Sequence, residues 1–384
     1  VRYTIDIKPT EDLGSRAKVI NAISHRTDQI RQQLAEKWVD KPKRLAAFRR
    51  SVIDHLAYAP RKVPLSPNLI ASVTTSRFAK HTYRLQINPD DQTTAALYLP
   101  RDASRQSPVP GLLAIHEHGG QFLMGHEKVC ADPKLACVFQ EYQLGCYGGQ
   151  PPADYFASNG YAVLCIDLFG FGSRAIWHET DEPYRSGRKK WTRAAAQRIR
   201  LRMRHEQERV HRALLANGVT ESQVNLYDLR RAIDFLAGRP EVDRNLIGAF
   251  GLSVGSILCH YLAAIDMRIK ASVRVCWAGD WTDMLRDSGP RVLGSQFLLP
   301  TLSGMLGVPE WVALSWPNPA MIINGKQDTM YSLANQQKTR RKTLNLCRQQ
   351  KPADRVRWRF FDGPHCFVPA QQAWALRFFD NHLE

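Results

Sequence analysis

The chain has 384 residues, 44% hydrophobic and 23% charged, which excludes a mainly disordered polypeptide. No run of about 18 uncharged apolar residues occurs, so no transmembrane helix and no membrane partner are expected. The formal charge of +17 would suit an acidic polymer or an anionic surface. The excess is partly local, however: residues 185–212 hold eleven Lys/Arg against Glu206 and Glu208.

Residues 1–75 read as an N-terminal helical extension, with apolar residues at helical spacing over 28–38 and 43–57 and a stop at Pro60 and Pro64. Runs 78–87 and 93–99, separated by Asn88-Pro-Asp-Asp, predict an antiparallel hairpin. Short apolar runs then follow at 112–116, 161–166, 246–250, 271–276, 320–323 and 356–361. Amphipathic segments such as 223–237 lie between most of them. Buried strands alternating with helices predict an α/β fold, a mostly parallel sheet covered on both faces. It would occupy residues 76–384, interrupted by an arginine-rich helical insertion at 173–221.

Eight cysteines in a chain of this length are far too few for a disulfide scaffold, and no Cys-x-x-Cys pair occurs. Cys165, Cys259 and Cys276 fall in apolar runs and read as buried thiols. No charged-then-apolar leader follows Val1. The expectation is a soluble protein, cytoplasmic or secreted after removal of a signal peptide.

Gly251-Leu-Ser-Val-Gly255 is the most informative segment. An apolar strand precedes it and an apolar helix follows, the context in which a serine is held on a sharp turn with its hydroxyl raised above the sheet. A serine hydroxyl is a weak nucleophile, so it needs a base, and the base needs an acid to orient it. Downstream, Asp328 follows the run 320–323 and His365 follows 356–361, both where open sheets place their sites. Ser253, Asp328 and His365 are therefore the candidate nucleophile, acid and base. Asp280 is the rival acid, and His382 and His260 are the other histidines after the serine.

The oxyanion formed on acyl transfer needs N–H donors. Val254, next to the serine, and Gly120 or Gln121 in the loop His116-Glu-His-Gly-Gly-Gln-Phe are the candidates. A metal reading of His116, His118 and His126 lacks an accompanying ligand motif, so no metal is expected. The segment 167–174 lacks the Gly-Lys-Ser/Thr of a phosphate loop and reads as a turn beside the site. Within it, Arg174 either pairs with Asp167 or a nearby carbonyl, or binds an acidic substrate.

With these residues in hand, the chain resembles the α/β-hydrolases, in particular the dienelactone-hydrolase and acetyl-xylan-esterase-like branch. The resemblance covers roughly residues 76–384. It rests on residues 116–122, 167–174, 239–243 and 251–255, with Asp328 and His365. It implies a cofactor-free Ser–His–Asp esterase acting on a small-molecule ester. Dienelactone hydrolases use cysteine as nucleophile; position 253 here is serine. Phe122, Trp177, Trp277 and Arg174 are candidate substrate-binding residues. Two other readings remain at this stage: a peptidase or amidase on the same fold, and a polyanion-binding protein using residues 185–212. No zinc finger, helix-turn-helix or aromatic RNA-binding motif accompanies the basic stretch, so nucleic acid is not the expected partner. A homo-oligomer is compatible with all of this.

Overall fold

The computed structural model describes residues 17–132, 135–280, 283–284, 294–330, 332–352 and 354–384. The part of the N-terminal extension at residues 1–16 lies outside them. Nine strands are described: β1 (Asn68–Thr74), β2 (Phe78–Asn88), β3 (Asp91–Pro100), β4 (Val109–Ile115), β5 (Ala162–Ile166), β6 (Val242–Leu252), β7 (Ile269–Val275), β8 (Ala320–Gly325) and β9 (Val356–Phe361). They form one sheet in the order β1-β2-β3-β5-β4-β6-β7-β8-β9. β2 and β3 form the expected antiparallel hairpin, and β3 runs antiparallel to β5. From β5 onward every neighbouring pair is parallel.

Strand alternation builds two cores. In β5, Ala162, Leu164 and Ile166 join one apolar cluster while Val163 and Cys165 join the other, as the two-residue period of a strand requires. The helices are α1 (Ala17–Ala35), α2 (Pro42–Asp54), α3 (Cys137–Tyr147), α4 (Pro152–Ala157), α5 (Glu182–Arg185), α6 (Arg193–Ala216), α7 (Glu221–Ala237), α8 (Val254–Ile265), α9 (Pro300–Ser303), α10 (Val308–Leu314), α11 (Leu333–Cys347) and α12 (Pro369–Asp380). Residues of α7, α8 and α10 pack in the first cluster, and residues of α4 and α12 in the second. α7 begins with a capping box, Thr220 with Gln223, and ends at Gly238, as the pattern predicts.

One feature differs from the sequence reading. β1 was not expected, and all seven of its residues are exposed. It bonds only to β2 at the sheet edge, so it carries none of the alternation that burial imposes. α1 and α2 share the main core, to which Ala35, Trp38, Val39, Leu45 and Val52 contribute. Arg49 also donates to the carbonyls of Ala264, Leu314 and Trp316. The first two lie in the last turns of α8 and α10, where helix carbonyls have no partner of their own, and Trp316 lies just beyond α10.

Candidate active site

The turn between β6 and α8 is built by exclusion. A Cβ on Gly251 would stand 2.3 Å from the Gly255 carbonyl carbon, and one on Gly255 would stand 2.1 Å from Ile115 O. Only glycine lets strand, turn and helix approach this closely. Ser253 is held at φ 57°, ψ −119°, a backbone state that L-residues rarely adopt and that surrounding structure must enforce. Its N–H donates to Val275 O on β7 at 2.9 Å, which pins the turn to the sheet. Val254 opens α8. Among the described residues its N–H has no acceptor, as expected in the first turn of a helix.

His365 and Asp328 come together from the loops after β9 and β8. His365 Nδ1 lies 2.7 Å from Asp328 Oδ2, while Asp328 Oδ1 accepts the Met330 N–H at 2.9 Å. The two loops are laced by Gln327 N–H to Gly363 O and Lys326 N–H to Phe361 O. A Cβ on Gly325 would meet Gly363 O at 2.5 Å, so a glycine is required where the loops cross. Asp328 is buried, whereas the His365 side chain keeps 25% of its surface exposed. Burial pushes the imidazole pKa down, but the Asp328 carboxylate and Glu117 outweigh it, and the net shift is upward. Cys276, at φ 53°, lies against this pair: its sulfur, an Asp328 oxygen and a His365 nitrogen fall within 4.8 Å of one another.

The rival acid and histidines go elsewhere. Asp280 faces Arg31 and Lys342 and lines a cavity of about 750 Å³ between α1, α10 and α11. His260 is buried in α8 between Trp277 O and Arg274. His382 packs edge-on against Phe378 just beyond α12.

The loop after β4 sits beside the serine turn, because Gly255 is close to both Ile115 O and His116 O. Its two glycines are left-handed, Gly119 at φ 52° and Gly120 at φ 62°. The Gly120 N–H donates to His118 Nδ1 and the Gln121 N–H to His118 O. This corrects the expected oxyanion role of Gly120 and Gln121, since both amides are consumed in tightening their own loop. The three histidines do not share a ligand either. His116 pairs with Glu117 O and accepts the Leu168 N–H. His118 reaches Gln207 through Nε2. His126 lies 2.7 Å from Asp167. Burial, with Lys128 adding to it, pushes His118 down to about 3 and His116 well below its ordinary value. Each ring also accepts a backbone N–H, His116 at Nε2 and His118 at Nδ1, as only a neutral imidazole can. His126, Glu127 and Asp167 also bring ligand atoms close together. The Asp167 oxygens, however, already accept from His126 and Ser173.

Sequence reasoning missed Glu117, which is buried and accepts hydrogen bonds from Tyr142 (2.6 Å) and Tyr147, both on α3. α3 is in turn tied to the histidine loop by Phe367 N–H to Cys146 O. One helix thus fixes both loops. Lys128, fully buried, donates to Glu117 O and His118 O; burial lowers its pKa to about 8. A glutamate in a polar loop gave no sign of this arrangement, because its two tyrosine partners arrive from α3.

The expected substrate contacts divide. Arg174 is clamped between Asp91 and Asp228, with its side chain only 2% exposed, and also donates to Asp167 O. It is a structural ion-pair residue, held inside by two carboxylates, which corrects the reading of it as a substrate contact. Phe122 is buried against Phe171 and His118 and supports the loop from within. Trp277 is buried, and its carbonyl holds His260. Trp177 stays half-buried, with Nε1 bonded to Gly172 O and Arg185 over its ring.

A mostly parallel sheet covered on both faces, with a glycine-flanked serine turn between a central strand and a buried helix, defines the α/β-hydrolase fold. No protein-family model matches the chain. It is similar to YtaP of Bacillus subtilis, a protein named as a hydrolase, at 24% identity over 287 residues, covering 74% of this chain and 82% of that one. The fold is also that of a Bacteroides fragilis protein described as an acetyl xylan esterase (TM-score 0.59, 17% identity, 83% of this chain and 74% of that one). A glucuronoyl esterase of Solibacter usitatus gives TM-score 0.59 at 13% identity over 88% and 93% of the two chains. Acetyl xylan esterase 1 of a Thermoanaerobacterium species gives 0.52 at 13% identity over 91% and 97%. Among the described residues, no helix is long and apolar enough to cross a membrane.

Proposed function

We propose that the protein is a serine esterase that hydrolyses carboxylic esters of small molecules. The observation that carries this reading is the 2.7 Å pairing of His365 with Asp328, on the same strand-end edge of the sheet as the strained Ser253 turn. Ser253 attacks the acyl carbon and gives its proton to His365 Nε2, the nitrogen left over once Nδ1–H is donated to Asp328. The imidazolium passes that proton to the leaving alcohol, and an acyl-enzyme remains on Ser253. His365 then activates water, which releases the acid.

The oxyanion is held by the Val254 N–H and by the N–H of His118. Among the described residues neither amide has another acceptor. The loop carrying His118 leaves β4 against Gly255. The neutral state of His116 and His118 keeps this loop from acting as a proton source. The acetyl xylan and glucuronoyl esterases that share the fold agree with ester chemistry.

The test is Ser253→Ala assayed with p-nitrophenyl acetate, together with fluorophosphonate labelling and peptide mapping. Loss of the nucleophile should lower kcat by roughly 10⁴–10⁶, and the label should map to Ser253. Undiminished turnover in the variant would reject the assignment.

A further inference from the structure

The insertion places positive charge directly over the oxyanion loop. α6 buries Ala196, Ile199, Met203 and Gln207 along one face, and Gln207 anchors that face through His118. Arg200 and Arg204 flank this stripe one helical turn apart. The point above Gly120 where a side chain would begin lies 3.4 Å from an Arg204 guanidinium nitrogen and 3.8 Å from one of Arg200, with no other non-neighbouring atom within 4 Å. Arg200 Nε is fixed on Gly120 O at 2.9 Å. Arg204 is exposed and, among the described residues, makes no ion pair. Other arginines of the insertion do: Arg193 pairs with Glu141, Arg202 with Asp181 and Glu206, and Arg212 with Glu208. Its charge reaches inward as well, since Arg204 is one of the groups that disfavour protonation of His118.

Two guanidiniums converging on a bare glycine, one of them without a counter-ion, form a receptor for an anion. We propose that Arg204, supported by Arg200, binds a free carboxylate of the substrate, so that the preferred substrates are esters carrying a second, unesterified acid group. This deepens the esterase reading and rests on it. It also moves the acid-binding role from the clamped Arg174 to the insertion helix. Gly120 is four residues beyond His116, so the carboxylate sits up to about 14 Å from the strand end. That upper bound admits acids at several separations from the scissile carbonyl, and the ester series below spans them.

The experiment compares kcat/KM for two ester series in the parent protein, Arg204→Gln and Arg204→Glu. The acyl-side arm uses p-nitrophenyl monoesters of succinate, adipate, suberate and sebacate against the neutral butyrate, hexanoate, octanoate and decanoate. The alcohol-side arm uses 4-acetoxybenzoate against phenyl acetate. The readout is the anionic-to-neutral ratio. At least one anionic ester should be favoured about 10-fold, the worth of one ion pair of about 1.4 kcal/mol. The ratio should collapse in Arg204→Gln, invert in Arg204→Glu, and shrink as salt rises. Which arm responds identifies the side of the ester that carries the acid. A ratio near one in both arms, or a preference that survives Arg204→Gln, overturns the inference. Loss of Ser253-dependent turnover of the neutral esters would instead overturn the esterase reading beneath it.

Discussion

Asp328→Asn probes the proton relay most directly, because both carboxylate oxygens are in use. Oδ2 lies 2.7 Å from His365 Nδ1, and Oδ1 accepts the Met330 N–H at 2.9 Å. An asparagine offers one acceptor and one donor group in their place. If its carbonyl stays with Met330, the NH₂ faces Nδ1 and forces the ring proton onto Nε2, which can then no longer accept from Ser253. If the carbonyl turns to His365, the NH₂ opposes the Met330 N–H, at a cost of about 1–3 kcal/mol for the lost bond and unsatisfied donor. In either case the imidazolium loses a charged partner worth about 1.5–3 kcal/mol. The combined penalty is about 2.5–6 kcal/mol in the transition state, roughly a 10²–10⁴ fall in kcat/KM. Initial rates on p-nitrophenyl acetate, with calorimetry to show that the fold is kept, measure it. Asp280→Asn serves as the control and should leave kcat/KM within a few-fold of the parent. A folded Asp328→Asn protein within fivefold of the parent would refute the relay.

Three further outcomes are expected. The acid limb of the kcat/KM–pH profile should have its midpoint above the ordinary histidine value of 6.5, because the active form of His365 is neutral and its pKa is raised. Glu117→Gln removes one of the negative charges responsible, so that midpoint should move to lower pH. For the His126–Asp167 pair, burial pushes His126 down, but Glu127 and Asp167 outweigh it, giving a value of about 10. A raised folded-state pKa contributes stability that is full below about 6.5 and is lost as pH climbs through about 10. Thermal stability should therefore decline across that window. Asp167→Asn should flatten the decline while costing roughly 3–5 kcal/mol at pH 7, both read by calorimetry as a function of pH. Arg49→Ala strands three carbonyls at or just beyond helix ends and should cost about 2–4 kcal/mol by urea titration.

The strands and the serine turn were legible because burial and backbone strain leave local marks. β5 reads as an unbroken apolar run, and Gly251 and Gly255 are glycines because no larger residue fits. What depends on distant partners was not legible. Arg174 looked available in a loop, yet Asp91 and Asp228 arrive from β3 and α7 to claim it. Asp280 stood as the rival to Asp328, and what sets it aside, Arg31 and Lys342, reaches it from distant helices. The loop after β4 could be located from its glycines. Which of its amides remain uncommitted depends on where the His118 side chain folds back. β1 escaped notice because an edge strand exposed on both faces has no periodicity to detect.

Arg49 ties α2 to the end of the helix whose opposite end follows Ser253. A positive side chain at that terminus offsets the partial negative charge of the helix dipole. The leading helices are thus a brace for the chemistry rather than a detachable preface. A shortened version starting at the sheet would leave the nucleophile's own support fraying from behind, and any redesign that grafts this catalytic edge elsewhere must carry both helices with it.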